Sequence, residues 1–121
     1  MSYQDDMNAL ISNQYISYVV ILDPAGAIYW TNNPNWQVNG AELLAAWKAK
    51  QPSVVIAGVK FSCFLNDPPN YLVAKSIGGG GTIIVALAPN GYFFLTWSDP
   101  ACPFEPLNIH AEVDRMSRKF V

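Results

Sequence analysis

One histidine, two cysteines, a pair of adjacent carboxylates and a run of four glycines are the residues of this 121-residue chain with a claim to chemistry. His110 would need a nucleophile or a carboxylate brought beside it to act as a catalytic base, and it reads instead as an exposed or partner-facing residue of a helix. Cys63 and Cys102 stand in unrelated contexts without metal-ligand spacing. Asp5-Asp6 falls at the start of a helical pattern, where negative charge complements the helix dipole. Gly78-Gly79-Gly80-Gly81 invites a phosphate-loop reading, but no Gly-Lys-Ser/Thr follows, and Thr82 opens a β-branched run where a helix would have to start. The glycines read instead as a tight turn between two strands, 71–77 and 82–88, because Gly adopts φ > 0 at no steric cost. No catalytic pair, metal cluster or cofactor motif emerges. The expected activity is binding, not catalysis, with no cofactor.

The elements that must position these residues follow from composition and pattern. Apolar residues make up 51% of the chain, with four Trp, six Tyr and six Phe, while charged residues make up 13%. That charged share is about half the usual one of roughly 25%, so the surface must be unusually uncharged. The length suits one domain, residues 1–121. A net charge of −2 argues against a nucleic-acid binder and weakens attraction to anionic lipid. No apolar run approaches the roughly 20 residues that span a bilayer, and no secretory leader is visible. The expected place is the cytoplasm, with both thiols free and reduced.

Ser2 with Asp5 makes a capping signal, and Tyr3, Met7, Leu10 and Ile11 recur at helical spacing, predicting a helix over 3–13. Residues 15–22 and 27–31 read as strands joined by the turn Asp23-Pro24-Ala25-Gly26. Asn39 with Glu42 caps a second helix that runs to about Lys50 on a face of Leu43, Leu44 and Trp47. A strand begins at 54–57, Gly58 marks a bend, and 59–65 continues extended. Turns at 66–70 and at Pro89-Asn90-Gly91 flank the glycine hairpin, and 92–97 is the last strand. From Pro106, the residues Ile109, Val113, Met116 and Phe120 mark a third helix. Short turns mean antiparallel neighbours. Runs such as Ile83–Leu87 are apolar on both faces, so helices must cover both sides of an antiparallel sheet, an α+β fold.

Two features suit binding. Tyr3, Trp30 and Phe120 form an aromatic set which, with the terminal helices side by side, would make a shallow groove for an extended proline-rich segment. Lys60, Lys75 and Thr82 on the strands, with Asn108 and Glu112 on the last helix, form a lightly charged surface that suits the rim of a protein interface.

The order of helices, the opening Met1-Ser2-Tyr3-Gln4, Trp30 closing the second strand, Gly58-Val59-Lys60-Phe61-Ser62 and Lys75-Ser76-Ile77-Gly78-Gly79-Gly80-Gly81-Thr82-Ile83 together resemble the profilins over nearly the whole chain, in the short form seen in archaea. The resemblance implies a central antiparallel sheet of six to seven strands, with the N- and C-terminal helices on one face and the middle helix on the other. It implies a monomer that binds monomeric actin at the barbed end and regulates filament assembly, associated with the cytoskeleton. Lys60, Lys75, Thr82, Asn108 and Glu112 match the actin face, and Tyr3 and Trp30 the polyproline groove. Asp6 stands where the family commonly has a second groove tyrosine, so polyproline binding is expected to be weak. Leu65 and Val73 stand where relatives often carry arginine, implying a more apolar actin interface. The few basic residues argue against phosphoinositide binding. An alternative of another class is a roadblock- or longin-type dimeric scaffold regulating small GTPases, which shares the helix–sheet–helix layering.

Overall fold

The structure, a computed structural model, describes residues 3–120. Its elements in chain order are α1 (Tyr3–Ser12), β1 (Tyr18–Leu22), β2 (Ile28–Thr31), α2 (Gly40–Lys48), β3 (Ser53–Ile56), β4 (Val59–Asp67), β5 (Tyr71–Lys75), β6 (Thr82–Leu87), β7 (Phe93–Ser98) and α3 (Pro106–Ser117). The strands make one sheet in the order β2-β1-β7-β6-β5-β4-β3, with every pairing antiparallel. The expected capping residue Ser2 lies outside the described residues.

The apolar runs sort onto two faces by strand alternation. Val20, Leu22, Leu72, Ile83, Val85 and Leu95 meet Leu43, Leu44 and Trp47 of α2. Val19, Ile21, Val73, Ile84 and Phe94 meet Met7 and Leu10 of α1 and Ile109, Val113 and Met116 of α3. The terminal helices thus share one face and the middle helix covers the other, as expected. Each large side chain buried this way stabilises the fold by about 1.5–3 kcal/mol. Trp47 is fully buried and still donates its indole N–H to the Tyr71 carbonyl over 3.2 Å, so no polar cost is left.

Local chemistry fixes the ends of the elements. Asn39 Oδ1 accepts from the Glu42 amide at 3.1 Å, as the capping signal requires, and the Asn39 side-chain Nδ2–H donates to the Glu42 carboxylate. Asp23 Oδ1 accepts from the amides of Ala25 and Ala27 and closes the β1–β2 turn. Cys63 packs on the α2 side of the sheet and Cys102 on the opposite side, so the two thiols cannot meet.

One reading changes. Ala57-Gly58 is not a bend in a continuing strand but a two-residue turn, with φ of 51° and 80°. It folds β3 back on β4 with Val55 opposite Lys60. Two positive φ values are what a tight hairpin needs, although Ala is an unusual occupant of the first. That turn makes the seventh strand.

Candidate functional site

Strand register decides which side chains can act together. Val55 pairs with Lys60, Ser62 with Lys75, and Lys75 with Thr82. Cross-strand partners share a face, as do residues two apart, so Val55, Lys60, Ser62, Lys75 and Thr82 all lie on the side of α1 and α3. α3 packs over β5, β6 and β7, and the outer end of this face stays open. Lys60 and Lys75 are exposed there, neither in an ion pair among the described residues.

A bulge adds a ring to the open surface. Cys63 pairs with Ala74 and Leu65 with Val73, leaving Phe64 as the extra residue. Two residues then oppose Val73, and Phe64 emerges 50% exposed beside Leu65, which packs against the α1–α3 core. With Val55 at 60% exposure on the neighbouring edge strand, the patch offers two apolar groups beside its lysines. Val73 does not contribute, contrary to expectation: it is fully buried under the helices. The apolar contact surface belongs to Phe64 and Val55. The spacing of Phe64 as an alternating residue gave no sign of the bulge.

Thr82 is buried and borders a cleft of about 280 Å³ between the glycine turn and the loop before α3, with Lys75, Ile77, Pro100, Cys102 and Phe104 around it. Asn108 and Glu112 do not join this surface. Glu112 pairs with Arg115 and lines a hollow with Asp6 and Ala9 of α1 and with Asn13 just beyond it. Asn108, one turn earlier, is on the same flank. The flank towards the strands carries His110, whose ring lies 4.7 Å from that of Tyr71. Helical periodicity identified the inward stripe of α3 but not which flank met which neighbour.

A second surface lies near the opposite edge of the sheet. Ile21 pairs with Trp30 and Leu22 with Ile28, so Tyr29 is an extra residue in β2. In a regular strand Tyr29 and Trp30 would face opposite ways, but the bulge brings both to the α1 side. They border a groove of about 450 Å³ with Tyr3, Gln4 and Met7. Phe120 lies beneath this set, its ring centre 4.8 Å from that of Tyr3, 5.5 Å from Tyr92 and 6.0 Å from Tyr29. Tyr3, Trp30 and Phe120 are brought together as expected. Tyr29 and Tyr92 were missed, the first because a bulge leaves no mark in alternation. Asp6 holds Lys119 at 2.8 Å in an ion pair between α1 and the segment that follows α3.

The chemistry available is that of docking. Among the described residues, no group of three His, Cys, Asp or Glu side chains is placed to hold a metal ion, and no helix is long and apolar enough to cross a membrane. Burial pushes the Cys63 thiol above its ordinary value.

No protein-family model matches the chain. The Odin profilin of Odinarchaeota yellowstonii is 31% identical over 100 residues, covering 83% of this chain and 82% of that protein. Among solved structures, LokiProfilin1 in its complex with rabbit actin superposes with a TM-score of 0.76 at 18% identity, covering 99% of this chain and 96% of that one. Mouse profilin IIa in complex with a double repeat from the FH1 domain of mDia1 gives 0.64 at 11% identity, covering 99% and 96%.

Proposed function

The chain belongs to the profilin family, and from that premise we propose that it is a cytoplasmic, monomeric regulator of actin filament assembly, its residues 1–121 forming one domain. Monomeric actin docks at its barbed end on the open end of the α1–α3 face. The observation that carries this reading is the convergence of Lys60, Lys75, Val55 and Phe64 on one uncovered surface. Exposed lysines beside exposed apolar groups are the make-up of a protein interface. The neighbour solved with rabbit actin supports the choice of partner. In this reading Thr82 and His110 flank the contact, and Asn108 and Glu112, on the other flank of α3, lie beyond it. Such a contact would bury roughly 1,200–2,000 Å² in total, the size of a standard interface. Family membership supports this reading over the dimeric-scaffold alternative.

The test is pyrene-actin assembly with rabbit actin and excess protein. Slowed assembly with a saturable dose response supports the proposal, and unaltered assembly at high excess rejects it.

A second reading rests on the β2 bulge. We propose that Tyr3, Tyr29 and Trp30 bind a proline-rich segment, whose preformed helix stacks on rings at little entropic cost. The FH1 complex of mouse profilin IIa supports this class of ligand. Binding is weak, because Asp6 and Lys119 replace one stacking face. Titration of a proline decamer followed by tryptophan fluorescence tests it, since Trp30 is 41% exposed. No change at millimolar peptide rejects it.

A further inference from the structure

We propose that Trp97 is a positioning residue for actin docking: its indole holds the four-glycine turn in the pose that forms one wall of the cleft beside Lys75. The assignment rests on the actin-binding reading above. Trp97 pairs with Ile83 across the β6–β7 ladder, and its half-buried ring lies on the α2 side of the sheet, stacked on Tyr18 with ring centres 4.7 Å apart. From that side its Nε1–H donates to the Gly80 carbonyl over 2.7 Å.

The approach depends on the absence of a side chain at Gly81. A Cβ there would stand 2.7 Å from Trp97 Nε1, and the backbone φ of +96° favours glycine as well. Within the turn, the Ser76 amide donates to the Gly81 carbonyl over 3.0 Å. Gly79, by contrast, projects into open space. Glycine loses more backbone freedom on ordering than any other residue, so a turn of four has little intrinsic preference for one pose. A tether from a rigid neighbour supplies the preference. The turn carries Ile77, 89% exposed, and begins directly after Lys75. Lys75, Ile77 and Thr82 all border the cleft, so fixing the turn fixes its shape. Trp97 acts from the opposite face and touches no partner.

Trp97→Phe keeps a ring on Tyr18 and removes the donor. Loss of one hydrogen bond predicts about fivefold faster hydrogen exchange at the Ser76 amide, with Ile84 and Val85 unchanged, and about fivefold weaker binding of rabbit actin. In an Ile77→Ala background the same substitution should weaken actin binding by less than about twofold, because turn and indole act through one contact. Fully additive losses, or unchanged exchange at Ser76, overturn the proposal. In the unaltered protein the Trp97 indole proton should exchange far more slowly than that of Trp30, and equal rates also overturn it. If the unaltered protein fails to bind actin, the actin-binding reading falls, and the two exchange measurements still decide the tether.

Discussion

His110 and Glu112 are two residues apart on α3 and face opposite flanks: His110 has its ring 4.7 Å from that of Tyr71 on the strand side, while Glu112 pairs with Arg115 beside α1. If actin docks on the strand side, His110→Glu should weaken binding about tenfold, while Glu112→Lys stays within about twofold and lowers stability by only about 0.5 kcal/mol. Titration of rabbit actin with both variants gives the order, and a larger effect at Glu112 would move the interface to the helix pair.

Charge reversal separates the two sides of the sheet. Lys75 is exposed on the α1–α3 face, and Lys48 is exposed on α2, across the sheet. Lys75→Glu should reduce actin affinity by about five- to tenfold, most strongly at low salt, as expected of an interface rim charge. Lys48→Glu should change it by less than about twofold. Equal effects in the same titration would mean that general attraction, and not a defined surface, governs binding.

The extra residue of β2 can be tested by truncation. Tyr29→Ala removes an outward ring without touching the ladder, since the bulged residue is left unpaired. Proline-decamer affinity should fall about tenfold, as it should for Trp30→Ala, while thermal stability changes little. A Tyr29→Ala protein with unaltered peptide affinity would confine the groove to Tyr3 and Trp30.

Gly40 opens α2 where the β1–β2 turn comes closest. A Cβ on Gly40 would collide with the Gly26 carbonyl oxygen and stand 2.7 Å from Leu22 Cδ2. Backbone on one side and a buried side chain on the other leave no room to yield, so Gly40→Ala should cost about 2–3 kcal/mol despite the better helix propensity of Ala. Gly78→Ala, with nothing nearer than 4.0 Å, should cost well under half as much. Urea unfolding of both variants checks the difference.

Cys63 gives stability a pH dependence of known sign. Burial raises its folded pKa above the ordinary 9.0, so the unfolded chain releases the thiol proton first as pH rises. The contribution to stability is complete below pH 9.0 and is lost as pH climbs through the folded value. Between pH 8 and 10.5 the wild-type unfolding midpoint should therefore fall more steeply than that of Cys63→Ala. Parallel curves would show that the thiol titrates as it does in the unfolded chain.

Much of this architecture was written in local chemistry. Asn39 and Glu42 announce the start of α2 because capping is a contact between near neighbours. Strands apolar on both sides, such as Ile83–Leu87, require two helical layers. What escaped are features settled by distant partners. Tyr29 and Phe64 became bulged residues through pairing with β1 and β5, which lie elsewhere in the chain. Ala57-Gly58 lacks the Asn or Asp that usually marks so short a reversal. The inward stripe of α3 was visible, but its flanks acquire meaning only once α1 and β5 are in place. Val73, expected at the contact surface, lies under α3 for the same reason.

A sheet clothed by helices on both sides has no central position at liberty to change. Ile84 and Leu95 each answer to a packed layer, and altering either alters the core. The outward rings Tyr29 and Phe64 stand on the border strand β2 at one side and on β4, one strand in from the border, at the other, where packing imposes the least. A side chain that sets partner preference can be exchanged at these margins without disturbing the interior, so recognition and folding are carried by separate residues.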